Sequence, residues 1–104
     1  MAFEKQERFD EEVGACLQAI KIKPEWEEAH FNLGVALSRL NRWTEAVEAF
    51  KAAIKFKPDY ATAHFNLGIA YLNLNDQKSA NTVYETLKTL NADLARPFFK
   101  LISQ

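Results

Sequence analysis

A single cysteine, three glycines and three prolines stand in a chain of 104 residues. One thiol cannot close an internal disulfide or build a cysteine-based zinc site, so Cys16 points to a reducing compartment. So few turn-forming residues leave little room for a many-stranded β fold. An excess of charge of one sign is missing too: 13 Lys and Arg stand against 14 Asp and Glu, a formal net charge of -1. That balance argues against the broad electrostatic footprint of a nucleic-acid or anionic-membrane binder, so neither is an expected partner. No apolar run approaches the roughly 20 residues that cross a bilayer as a helix, and the N-terminal stretch is charged where a secretory signal needs an apolar core of about 7 to 15 residues. The expected setting is cytoplasmic, with a leader further upstream left open. What remains is an ordinary globular composition, 48% hydrophobic and 26% charged, at a length that suits one small domain burying roughly 60 to 65% of its unfolded surface.

Self-comparison uncovers a 34-residue period. Ala29-His30-Phe31-Asn32-Leu33-Gly34 recurs unchanged as Ala63-His64-Phe65-Asn66-Leu67-Gly68, and the same offset joins Ala36 to Ala70, Leu40-Asn41 to Leu74-Asn75 and Ala46 to Ala80. It also links Ala19-Ile20-Lys21-Ile22-Lys23-Pro24 to Ala53-Ile54-Lys55-Phe56-Lys57-Pro58, so the repeat extends backward into the N-terminal residues.

Each unit reads as two helices. Ala29, Leu33, Ala36, Leu37 and Leu40 share one face of a 3.6-residue period, which predicts a first helix, A, over roughly residues 28–40. Asn41-Arg42 breaks the pattern, and Trp43, Ala46, Val47, Phe50, Ala53 and Ile54 form the stripe of a second helix, B. Pro58 closes the unit, with Asp59 placed to cap the next helix. Lys21, Lys23, Lys55 and Lys57 gather at the ends of the B helices and Glu25, Glu27 and Glu28 at the start of an A helix, as the helix dipole favours. Gly34 and Gly68 lie inside A helices, where glycine costs about 1 kcal/mol relative to alanine. Close approach of the paired helix at Ala46 and Ala80 is the expected compensation.

With Glu27 as the first position of a unit, His30, Leu33, Gly34, Leu37, Ala46, Phe50, Ala53 and Pro58 fall on the signature places of the tetratricopeptide repeat family, and His64, Leu67, Gly68, Tyr71, Ala80 and Tyr84 repeat them. The chain resembles that family. It departs where His stands for the usual Trp, Leu87 for Ala, and Ala92 for the closing Pro; in the partial first unit Glu12 takes a small-residue site and Cys16 an aromatic one. The resemblance implies an all-α, right-handed α-solenoid of antiparallel helix pairs with about six helices. Its divisions would be a partial first repeat, mainly helix B, over residues 1–26, units over 27–60 and 61–94, and a capping helix over 95–104 with Asp93 as its N-cap.

The resemblance further implies that A helices line a concave groove. The residues pointing into it would be Glu28, Phe31, Asn32, Val35, Ser38 and Arg39, then Thr62, Phe65, Asn66, Ile69, Leu72 and Asn73, with Arg96, Phe99 and Lys100 added by the cap. A protein or peptide partner would meet Phe31, Asn32, Val35, Arg39, Phe65, Asn66, Ile69 and Asn73. Equivalent amides at Asn32 and Asn66 offer a donor and an acceptor each, similar to the asparagine ladder that engages an extended backbone in some members; bonding within the superhelix is the alternative reading. A carboxylate clamp for chaperone tails needs cations where this chain has Phe31, Val35, Phe65 and Ile69, so such a tail fits poorly.

Other chemistry lacks the required spacing. His30 and His64 sit at equivalent positions and no second ligand stands at helical metal spacing, Cys16 lies on an apolar stripe without a histidine partner, and Asp10-Glu11-Glu12 reads as a helix-start charge cluster. No catalytic constellation, metal site or cofactor is expected, and the chain reads as a non-enzymatic scaffold. Phe9, Val13, Leu17 and Ile20 form an apolar stripe on the first helix. It needs cover, which suggests a self-assembling module that forms a homo-oligomer through this helix, or association with a further segment. A third reading is the targeting arm of a larger enzyme.

Overall fold

The computed structural model describes residues 2–104, and side chains from Lys5 onward. These residues form six helices: α1 (Ala2–Ile22), α2 (Glu27–Arg39), α3 (Trp43–Phe56), α4 (Ala61–Asn73), α5 (Gln77–Leu90) and α6 (Ala92–Ile102). There is no strand among the described residues. Each helix packs on its sequence neighbours, and α4 also touches α2 and α6. This is an all-α solenoid of helix pairs, 34 × 32 × 21 Å along its principal axes.

The turn inside each pair is set by an asparagine. Asn41 and Asn75 adopt φ 59° and 61°, a left-handed conformation that asparagine tolerates better than most residues. Asn41 N–H then bonds Ser38 O at 3.0 Å and Arg42 N–H bonds Leu37 O at 2.9 Å, and Asn75 and Asp76 repeat this with Leu72 and Tyr71. These bonds satisfy the last carbonyls of α2 and α4 and reverse the chain. The residue 34 places before Asn41 is Glu7, and there α1 runs straight on. Glutamate favours the helix interior and gains nothing from a left-handed turn.

The link between pairs is held by the recurring histidines. His30 Nε2 donates to Pro24 O at 2.7 Å and His64 Nε2 to Pro58 O at 2.9 Å. Each imidazole ties the first turn of an A helix to the preceding proline, which gives His30 and His64 a structural role. Two expected caps are corrected. Tyr60, not Asp59, is the residue before α4 and offers no side-chain cap, because the helix starts one residue later than Asp59 would allow. Asn91, not Asp93, caps α6, its Oδ1 accepting from Asp93 N–H at 3.1 Å and Leu94 N–H at 3.2 Å. The cap helix accordingly starts at Ala92 rather than at residue 95.

One apolar core runs from α2 to α6 through Leu37, Val47, Phe50, Leu67, Val83, Leu87 and Phe98, with alanines 46, 49, 70, 80 and 95 between them. Among the described side chains of α1, Val13 packs against it, half-buried. The side chains nearest the glycines are aromatic rings and Val83 rather than the expected Ala46 and Ala80. A Cβ on Gly34 would lie 2.5 Å from Cε1 of Phe50, and one on Gly68 would strike the Phe98 ring and lie 3.0 Å from Cγ1 of Val83. Each glycine therefore lets an aromatic ring lie against helix backbone, a closer approach than two small residues need. The rings are not equivalent: Phe50 comes from the partner helix α3, but Phe98 comes from α6, while Tyr84, the counterpart of Phe50, lies 5.2 Å from the Phe99 ring.

Candidate functional site

Helices α2 and α4 lie side by side, and two adjoining hollows flank α2, one toward α4 and one toward α1. The first, about 330 Å³, is lined by Val35, Ser38 and Arg39 of α2, Trp43 and Phe50 of α3, and Asn66 and Ile69 of α4. The second, about 350 Å³, is lined by Glu12, Ala15 and Cys16 of α1 with Asn32 and Val35 of α2. Val35 belongs to both, so Asn32 and Asn66 open onto neighbouring parts of one surface. Asn32 is exposed and Asn66 half-buried. Among the described residues neither side-chain amide has a hydrogen-bond partner within the chain. By contrast Asn73 Nδ2 donates back to Ile69 O at 2.9 Å and Ser38 Oγ to Gly34 O at 2.8 Å.

The expected groove residues thus divide. Val35, Arg39, Asn66 and Ile69 come together, and Asn32 stands in the adjoining hollow. Phe31 and Phe65 line neither and serve packing between neighbours: the Phe31 ring stacks on Tyr60 at 4.9 Å and meets Phe50 at 5.8 Å, and Phe65 meets Phe98 edge-on at 5.6 Å. Asn73 also stands outside both hollows. The Arg39 guanidinium lies 5.3 Å over the Phe9 ring, so it is partly engaged in holding α1 to α2. Trp43 and Phe50 are wall residues that the reading by A helices overlooks, since both belong to a B helix. The available signal was Trp43 directly after the Asn41-Arg42 turn, a place from which a long side chain reaches back over the A helix.

The stripe on α1 divides as well. Val13, Leu17 and Ile20 line a depression of about 460 Å³ on the opposite face of α2, with Leu33, Leu37, Ala49 and Ala52 as apolar wall and Arg42, Glu45 and Glu48 at its rim. Phe9, Val13 and Ile20 are half-buried, and Leu17 is 53% exposed.

Burial pushes the Cys16 thiol up, and the negative charge of Glu12 adds to the shift. The thiol therefore stays protonated near neutrality and is a poor nucleophile. Tyr60 is raised by its burial and then by Glu28 and Glu27. No three His, Cys, Asp or Glu side chains converge among the described residues, and none of the described helices is long and apolar enough to cross a membrane.

Two family models match the chain: one described as TPR repeat over residues 39–75 and one described as tetratricopeptide repeat over residues 61–94. A comparison with curated proteins finds no match. Among solved structures, the first TPR of Spaghetti (RPAP3) bound to the HSP90 peptide SRMEEVD is 23% identical with a TM-score of 0.87, covering 98% of this chain and 82% of that one. The second TPR domain of human RPAP3, in complex with the HSP70 peptide SGPTIEEVD, is 19% identical with a TM-score of 0.87, covering 98% and 87%. MamA AMB-1 is 25% identical with a TM-score of 0.77, covering 81% of this chain and 49% of that one. The chain thus spans about half the length of the MamA structure.

Proposed function

The chain belongs to the tetratricopeptide repeat family, and on that premise we propose that it is a protein-interaction module holding an extended peptide against α2 and α4. The observation that carries this reading is the pair Asn32 and Asn66: two equivalent amides in adjoining hollows that share Val35, with no side-chain hydrogen bond among the described residues. Neighbouring helices lie about 8 to 10 Å apart, which corresponds to about three residues of extended chain. Each amide then meets a peptide group and supplies one donor and one acceptor without regard to side-chain identity. Val35 and Ile69, beside them, provide apolar contact for the intervening side chains.

The peptides named for the two RPAP3 structures end in EEVD. An acidic tail of that kind is disfavoured here. Arg39 is the sole cation lining the first hollow, it already lies over Phe9, and Glu12 lines the second. The ligand chemistry that fits is an uncharged or basic extended segment with small apolar side chains.

The test is affinity capture from source lysate with the wild-type chain beside the Asn32→Ala/Asn66→Ala variant, followed by affinity measurement on the captured peptide. Loss of the donor and the acceptor bond at each site, together about 1 kcal/mol per site, weakens binding about 30-fold with helicity unchanged. Equal affinity of the two proteins for the same peptide would contradict the proposal.

A further inference from the structure

Within a complete pair, the B helix offers a small or apolar face to the A helix before it. On α3 that face includes Ala46, Ala49 and Phe50, exposed by only 0%, 5% and 0%. The positions 34 residues earlier are Glu12, Ala15 and Cys16 on α1, and they line the open hollow of about 350 Å³ with Asn32 and Val35. That hollow is the seat of an A helix. It stays open because α1 continues through Glu7, where the other pairs turn back at Asn41 and Asn75. The stretch Ala2 to Arg8 adds about 10 Å of straight helix and leads the chain away from the seat.

At the other end, α6 is a helix of the complementary kind. It packs on α5 and α4 as α4 packs on α3 and α2, and no B helix covers its outer side among the described residues. Phe99, beside Tyr84 of α5, is 50% exposed and Leu101 37%, and Arg96 and Lys100 are exposed as well.

We infer that α6 of one molecule docks in the seat beside α1 and α2 of a second copy, so that the chain associates with itself head to tail. Size supports this pairing: Cys16 is small where α3 carries Phe50, which leaves room for a ring such as Phe99. Charge supports it too. Glu12, in the lining of the seat, faces the helix that carries Arg96 and Lys100. Docking also gives Asn32 the surroundings that Asn66 already has, with an A helix on either side. The inference does not depend on the peptide reading. Because the two surfaces differ, the contact does not close on a two-fold axis and propagates into a ring or an open array. One short helix in one seat belongs to the weak class of interfaces, below about 1,200 Å², so the association is concentration-dependent.

Sedimentation velocity on the full chain across a concentration series, from about 10 µM to 1 mM, tests it. The wild-type chain is expected to grow past dimer as concentration rises. Glu12→Lys and Lys100→Glu each place like charges in the contact and weaken association about tenfold. The double variant Glu12→Lys/Lys100→Glu restores it. A strict monomer throughout, growth that stops at dimer, or a double variant no better than the singles would overturn the inference.

Discussion

Replacing glycine by alanine has opposite effects at Gly14 and at Gly34, although both lie inside helices. In an exposed helix interior the substitution gains about 1 kcal/mol, because alanine loses less backbone entropy on folding. At Gly14 nothing lies within 4 Å of the added methyl group, so Gly14→Ala stabilises by about 0.5 to 1 kcal/mol. At Gly34 the methyl falls 2.5, 2.7 and 2.8 Å from three carbons of the Phe50 ring. Ordinary carbon contacts lie at about 3.5 to 4.0 Å, so the ring must retreat by about 1 Å. Phe50 is fully buried and forms part of the wall of the first hollow, so moving the ring disturbs both the core and that wall. Overpacking of this kind costs about 1 to 3 kcal/mol. Set against the propensity gain, Gly34→Ala destabilises by about 1 kcal/mol, and the two variants differ by about 2 kcal/mol. Urea denaturation followed by circular dichroism at the helix band measures both. Adding Phe50→Leu to Gly34→Ala recovers part of the loss, as coupled neighbours do. Equal stabilisation by the two single substitutions would refute the ring-on-backbone packing.

Two further outcomes follow from the cap helix and the second pair. Phe98→Ala empties a fully buried aromatic site over Gly68 and costs about 3 to 5 kcal/mol in the same denaturation experiment, and a loss below about 1 kcal/mol would show that α6 is not part of the core. Asp76 is held below the usual aspartate range by hydrogen bonds from Ser79, first from its side chain and then from its backbone N–H. Its folded pKa is thus depressed, so its contribution is present above the unfolded value and is lost as pH falls through the folded one. Stability curves of wild type and Asp76→Asn converge across that acidic window, and parallel curves would contradict the assignment.

The fold was legible because the repeat is strict where packing demands it. Ala29, Leu33, Ala36 and Leu37 recur in kind after 34 residues, and that period reports helix pairs whatever the individual propensities. What stayed hidden depends on reach and on side-chain direction. A helical wheel shows that Gly34 faces its partner helix, but not that the Phe50 ring, rather than Ala46, covers it. Phe98 was harder still, since the closing role of Phe50 passes to another element in the second pair. The groove was half legible. Asn32, Val35, Asn66 and Ile69 lie where the register puts them, whereas Phe31 turns to Tyr60 and Phe65 to Phe98. Tyr60, just before α4, was the available sign that Phe31 already had a partner. The run of α1 through Glu7 is legible only by contrast with Asn41 and Asn75, because glutamate there removes a turn without creating any signal of its own.

On the proposed reading Asn32 and Asn66 together hold a peptide backbone. Their side-chain amide resonances, assigned by single Asn→Asp substitutions and followed by NMR while the captured peptide is titrated in, test it most directly. Both NH₂ pairs are expected to shift along one saturation curve, and N-methylating the peptide groups opposite them is expected to abolish the shifts. Saturable binding that leaves both amides unmoved would contradict the account.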